Sequence, residues 1–140
     1  MATITNRKLT IAHDHSKKTV RPVVTCDVNF TELELCQMKA CARTRFFKLK
    51  CELMGSDGGL FGGDDHLWTY SQVFYFPDPT PTATESRTFD KDAGGQTLVL
   101  GEGVLDEDWG QDEIYGRLKL VNLASLVAVT KSTNKVEHHF

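Results

Sequence analysis

The chain has 140 residues, of which 40% are hydrophobic and 25% charged, and its net charge is −3. A chain of this length buries roughly two-thirds of the surface that its unfolded form exposes, so it can hold a core without disulfides or metals as staples. That composition excludes a disordered chain, and so small a net charge gives no ground for a nucleic-acid partner.

Period-two alternation runs along most of the sequence and predicts strands. Leu9 and Ile11 mark a short first strand. Val24, Cys26, Val28 and Phe30 alternate with Thr25, Asp27 and Asn29, which predicts a half-buried strand. Thr31-Glu-Leu-Glu34 has the spacing of a capping box and predicts a short helix from Glu32 to about Ala40. Phe47, Leu49, Cys51 and Leu53 alternate with Lys48, Lys50 and Glu52 in the clearest strand of the chain. Leu67 to Phe76 is apolar or aromatic in both phases, which predicts one long strand covered on both faces. Thr97–Leu100, Ile114–Leu120, Leu126–Thr130 and Lys135–Phe140 complete the set. Turn-rich segments separate them: Gly55–His66 with five glycines, Pro77-Asp-Pro-Thr-Pro81, and the glycines at 94, 95, 101 and 103. With no repeat and no dividing linker, residues 1–140 read as one domain. The class is all-β, an antiparallel β-sandwich of about eight strands with one short helix.

No apolar run reaches the length of a membrane-spanning helix. The opening residues lack the apolar core of a secretory signal, which favours a cytoplasmic location. Cys26 and Cys51 occupy apolar strand positions and read as buried structural thiols in a reducing compartment. Cys36 and Cys41 stand at a loose zinc-finger spacing, but no second close pair completes a zinc site.

The acids are unevenly placed. Ten of the 19 fall in three clusters: Asp57, Asp64 and Asp65; Asp90 and Asp92; and Asp106, Glu107, Asp108, Asp112 and Glu113. The other nine face 16 lysines and arginines, so the rest of the chain is basic. Carboxylates that converge in a loop repel one another unless a cation sits among them. Calcium suits such a site, since it takes six to eight oxygen ligands in flexible geometry. Asp and Gly are also the commonest turn residues, and by that reading Asp90 and Asp92 mark only a turn.

The run from Asp106 and Asp108 through Glu113 to Gly116 resembles the third calcium loop of the C-two domain. That family is an eight-stranded β-sandwich that binds calcium, and often acidic phospholipid, through loops at one end. By this resemblance Asp106 and Asp108 correspond to the paired aspartates and Glu113 to the later acid. Asp57 and Asp64 would supply the earlier aspartate-bearing loop. Here the spacer is shorter, the later acid is Glu, and the early loop is glycine-rich without the usual Ser-Asp-Pro-Tyr run. About 56 residues precede that loop, more than the family places there. The resemblance covers about Gly55 to Leu120. With Asp65 and Asp112 added from the same clusters, the candidate calcium ligands are Asp57, Asp64, Asp65, Asp106, Asp108, Asp112 and Glu113.

Trp109 lies inside the second acidic segment. Two readings stand side by side: a ring offered to a membrane interface or a sugar, and a ring folded back over the base of the loop. Trp68, Tyr70, Phe74 and Phe76 share one strand phase and read as core. His13 and His15, at i and i+2, and His138 with His139 have metal-ligand chemistry, although the default is exposed polar residues near a chain end. His66 beside Asp64 and Asp65 has no nucleophile placed near it by motif. Arg43, Arg45, Lys48 and Lys50 form a basic cluster, either a solvated face or a contact for an acidic partner or lipid headgroup. No phosphate-binding, dinucleotide or hydrolase motif is present.

These features lead to the expectation of a non-enzymatic binding or interaction module, with acidic loops that bind calcium and contact a ligand or partner. A protein partner or self-assembly is expected first, then a membrane surface or carbohydrate, and not nucleic acid. The alternative is a structural subunit of a larger assembly such as a shell, tail or filament.

Overall fold

A computed structural model describes residues 1–40, 45–56, 63–105 and 112–138, with Asp112 and His138 described through their backbones. The strands are β1 (Thr3–Asp14), β2 (Thr19–Asn29), β3 (Phe47–Gly55), β4 (Asp65–Thr69), β5 (Phe74–Phe76), β6 (Thr84–Phe89), β7 (Leu100–Gly101), β8 (Asp112–Asn122), β9 (Ala128–Ser132) and β10 (Val136–His138). One helix, α1 (Glu32–Ala40), follows β2, and a short 3-10 turn (Glu102–Val104) follows β7. The strands form two antiparallel sheets. The first has the order β1-β2-β6, with β7 also on β2. The second has the order β10-β8-β3-β4, with β5 also on β3 and β9 on β8.

The alternation seen in the sequence is what the two sheets bury. Val20, Val24, Cys26 and Val28 of β2 face Leu49, Cys51 and Leu53 of β3 and Ile114, Leu118 and Leu120 of β8 in one hydrophobic core. Each fully buried aliphatic side chain contributes about 1.5–3 kcal/mol relative to exposure. The rings of Phe30, Phe47 and Phe76 pack at one end of this core, with centroids 5.0 and 5.3 Å from Phe30. Gly116 leaves room at a crowded point of the core: a β-carbon there would stand 3.0 Å from Val24 and 3.1 Å from Thr133.

The capping box forms as its spacing predicts. Glu34 N donates to Thr31 Oγ1 at 3.2 Å, and Thr31 N donates to Glu34 Oε1 at 2.9 Å. The other carboxylate oxygen of Glu34 accepts the Ala2 N–H at 3.0 Å, which explains why this glutamate is buried. The free edge of β1 is closed by a side chain. Asn134 accepts from Leu9 N at 2.8 Å and donates to Leu9 O at 3.1 Å, as a neighbouring strand would.

Three sequence expectations change. The first strand is not short: it runs twelve residues through an irregularity between Thr5 and Lys8, where Asn6 takes a φ of 49°. Strand β6 was not foreseen at all. The long strand expected from Leu67 to Phe76 is broken into β4 and β5. Thr69 opposes Glu52 and Phe74 opposes Leu49, so four residues on this side span two on β3. The extra length lets Tyr70 turn inward and donate its hydroxyl to Pro22 O of the first sheet at 2.8 Å. It also lets Gln72 Oε1 accept the N–H groups of Asp90 and Lys91, both at 2.7 Å, where β6 ends. The break thus joins the two sheets and satisfies backbone donors that lack a strand partner.

Candidate functional site

The register of the second sheet decides where the acidic segments go. Gly55, the last residue of β3, opposes Asp65 on one side and Ile114 on the other. The segment after β3 and the segment before β8 therefore meet the sheet at the same end. Ser56 N donates to Glu113 O at 2.8 Å and carries the pairing one step further. β10 ends there as well, with Glu137 opposite Glu113 and His138 opposite Asp112.

Of the candidate ligands, Asp64, Asp65 and Glu113 are brought to this end, as is the backbone of Asp112. Asp57, Asp106, Asp108 and Trp109 lie outside the described residues. Two of the described carboxylates already have donors. Asp64 Oδ2 accepts the Tyr115 hydroxyl at 2.5 Å. Glu113 Oε2 stands 3.5 Å from Lys135 Nζ, which also donates to Ser56 Oγ at 2.9 Å. Burial, then the hydrogen bond to Asp64, pushes the Tyr115 phenol up to about 12. Asp65 is exposed. Among the described residues no group of three or more metal-ligating side chains stands close enough to hold an ion.

Charge changes in steps along the outer face of this sheet. Nearest the end are Glu113, Tyr115 and Asp64. Next comes a neutralised row, in which Arg117 donates to Glu52 Oε1 at 2.8 and 3.2 Å while His66 Nε2 lies 3.4 Å from Glu52 Oε2. The ring of His66 is also held 2.6 Å from Thr69 Oγ1, so its partners are Thr69 and Glu52. Beyond that row Lys50 lies directly opposite Lys119, and Lys48 opposes Tyr75. The Arg45 guanidinium covers Tyr75, 4.3 Å from the ring centroid. None of these three lysines has a carboxylate within salt-bridge distance among the described residues. Lys119 was missed in the sequence, although it alternates in phase with Arg117 in a strand that was foreseen.

His13 stands near the end of β1 on its inward strand phase and is not a loose polar residue, whereas His15 lies in the turn that follows and is exposed. His13 Nε2 lies 2.8 Å from Glu102 Oε2, with only 7% of the histidine side chain exposed, and the rings of His13 and His15 are 3.9 Å apart. The turn is set by Asp14, whose Oδ1 accepts from Ser16 N, Ser16 Oγ and Lys17 N. Those bonds, that from the Ser16 hydroxyl first, lower its pKa.

The aromatic set packs as core. Tyr70 and Phe76 are buried, and Trp68 and Phe74 pack half-buried against them. The Trp68 indole N–H is buried with no hydrogen-bond partner among the described residues. Cys26 and Cys51 are buried free thiols. Burial pushes Cys26 up to about 11, and burial, then the neighbouring Cys26, raises Cys51. Thiols so held are inert as nucleophiles at neutral pH. Cys36 is exposed on α1, and Cys41 lies outside the described residues. No helix among the described residues is long and apolar enough to cross a membrane.

Compared with known proteins, the chain matches no family model, no curated protein and no solved structure.

Proposed function

We propose that this chain is a non-enzymatic binding module whose acidic end takes up calcium and, once ordered by it, meets a ligand or partner. One observation carries the reading: Gly55 lies between Asp65 and Ile114, so the two most acidic segments of the chain reach the sheet at one end. The segments 56–65 and 106–113 hold eight acids and no lysine or arginine. Bringing such segments together concentrates negative charge, and a divalent cation relieves it. Asp106 and Asp108 are the first ligands in this proposal, as in the C-two loop that the run resembles, with Asp64, Asp65 and Glu113 beside them. Binding would draw Asp64 and Glu113 away from Tyr115 and Lys135, a competition that favours modest affinity. Calorimetric titration with calcium tests the reading. Heat of binding is expected from the native chain and its loss from Asp108→Asn, and a native chain that gives no heat at millimolar calcium would sink the reading.

A second reading, a subunit of a larger assembly, is favoured by a different observation. Among the described residues, the row formed by Lys48, Lys50 and Lys119 has no carboxylate within salt-bridge distance.

A further inference from the structure

We propose that the outer face of the second sheet around Lys48, Lys50 and Lys119 docks the acidic end of another copy of this chain. The proposal rests on the assembly reading and is independent of calcium.

The ladder itself provides the first argument. Lys50 and Lys119 are both exposed and directly opposed across β3 and β8. Like charges facing each other across antiparallel strands are destabilising. Among the described residues no acid offsets them, since the nearest acid in the ladder, Glu52, is taken by Arg117. Lys48 extends the row toward Tyr75, which the Arg45 guanidinium covers. The result is a cationic strip along a sheet face, with a stacked ring at one side.

Charge complementarity identifies the occupant. The opposite charge is collected on the same chain, at the end marked by Asp64, Asp65 and Glu113. Among the described residues the two surfaces do not reach each other within one molecule. Gly55 lies five positions along the strand from Lys50, about 17 Å at the usual rise. That exceeds the screening length of about 8 Å at physiological salt, and the neutralised Glu52–Arg117 row stands between. Between copies they can meet, the end of one against the face of the next. Such a contact is heterologous: each copy keeps one free acidic end and one free basic face, so growth continues beyond a dimer.

Sedimentation of the full chain, in chelator so that calcium plays no part, tests this at about 20 mM and about 500 mM salt. At low salt the native chain is expected to form species that grow past dimer with concentration, and at high salt to return to monomer. Lys50→Glu with Lys119→Glu should be monomeric at low salt, with unchanged circular dichroism as the folding control. Asp64→Asn with Asp65→Lys should associate at least about tenfold more weakly, because loss of charge pairs across an interface weakens docking. Mixing the two variants should give a complex that stops at one copy of each, because only one intact end and one intact face remain between them. A native chain that stays monomeric at both salts would overturn both the proposal and the assembly reading. Association that persists in the double lysine variant would overturn the proposal alone. So would a monomeric chain that binds anionic phospholipid vesicles through the same lysines, since the face would then belong to a membrane.

Discussion

At the scale of single residues, two positions in β8 define what the acidic end and the core require. Tyr115 stands on the outer face and donates its hydroxyl to Asp64, which fixes one carboxylate at the end of the sheet. Its phenol is raised to about 12, first by burial and then by that hydrogen bond. A group held above its unfolded value favours its protonated form in the folded state. Its contribution to stability is therefore complete below pH 10 and is lost as pH rises from there toward 12. Tyr115→Phe is expected to cost about 1 kcal/mol at neutral pH, the net value of one such bond. It should also flatten the fall in stability between pH 10 and 12, as read by denaturant titration across that range. Gly116, one residue on, turns the other way. Its missing side chain admits Val24 and Thr133, and Gly116→Ala should cost about 1–3 kcal/mol from overpacking, measured as a shift in the urea midpoint. The sequence already places this glycine in the Ile114–Leu120 strand, and in the fold it lies mid-strand in β8, where its missing side chain leaves room for Val24 of the facing sheet.

At the scale of elements, what was legible in the sequence depended on whether the cause was local. The α1 cap was legible because both of its hydrogen bonds lie within four residues. β2, β3 and β8 were legible because each buries every second residue against the opposite sheet. β6 was not, since Thr84, Ser86 and Thr88 are exposed and Glu85 and Arg87 hold the inward phase until Phe89. Arg87 is made compatible with that phase by Glu85, its neighbour on the same face at 3.0 Å, and by two residues of another segment, the Phe76 ring at 4.9 Å and the carboxylate of Asp78 at 3.5 Å. The break between β4 and β5 was hidden for a similar reason, because the Pro22 carbonyl and the end of β6 that receive Tyr70 and Gln72 are far away in sequence. The pairing of Lys50 with Lys119 also depends on register across 69 positions, which alternation alone does not supply. It leads to a prediction at this scale. Lys119→Glu replaces a repulsive cross-strand pair by an attractive one and should raise stability by about 0.2–1 kcal/mol, with the denaturant slope unchanged. If the row serves docking, the same change should weaken self-association, so stability and assembly would move in opposite directions.

At the scale of the whole molecule, the strand register turns an uneven sequence into a polar particle. Among the described residues Asp64, Asp65 and Glu113, far apart in sequence, meet at one end of a sheet, and lysines from β3 and β8 meet farther along its outer face. The existence of acidic segments was plain from composition, but their convergence was not, because it depends on Gly55 pairing with both Asp65 and Ile114. That convergence is the basis of the calcium reading. A ligand that binds only the folded chain, at about 100 times its dissociation constant, adds about 2.7 kcal/mol of stability, enough to move the melting temperature of a domain this size by several degrees. The most direct test is therefore the thermal melt of the native chain in millimolar calcium against the same chain in chelator. A rise of several degrees, absent from Asp108→Asn, is the result predicted here, and identical melts in calcium and chelator would contradict it.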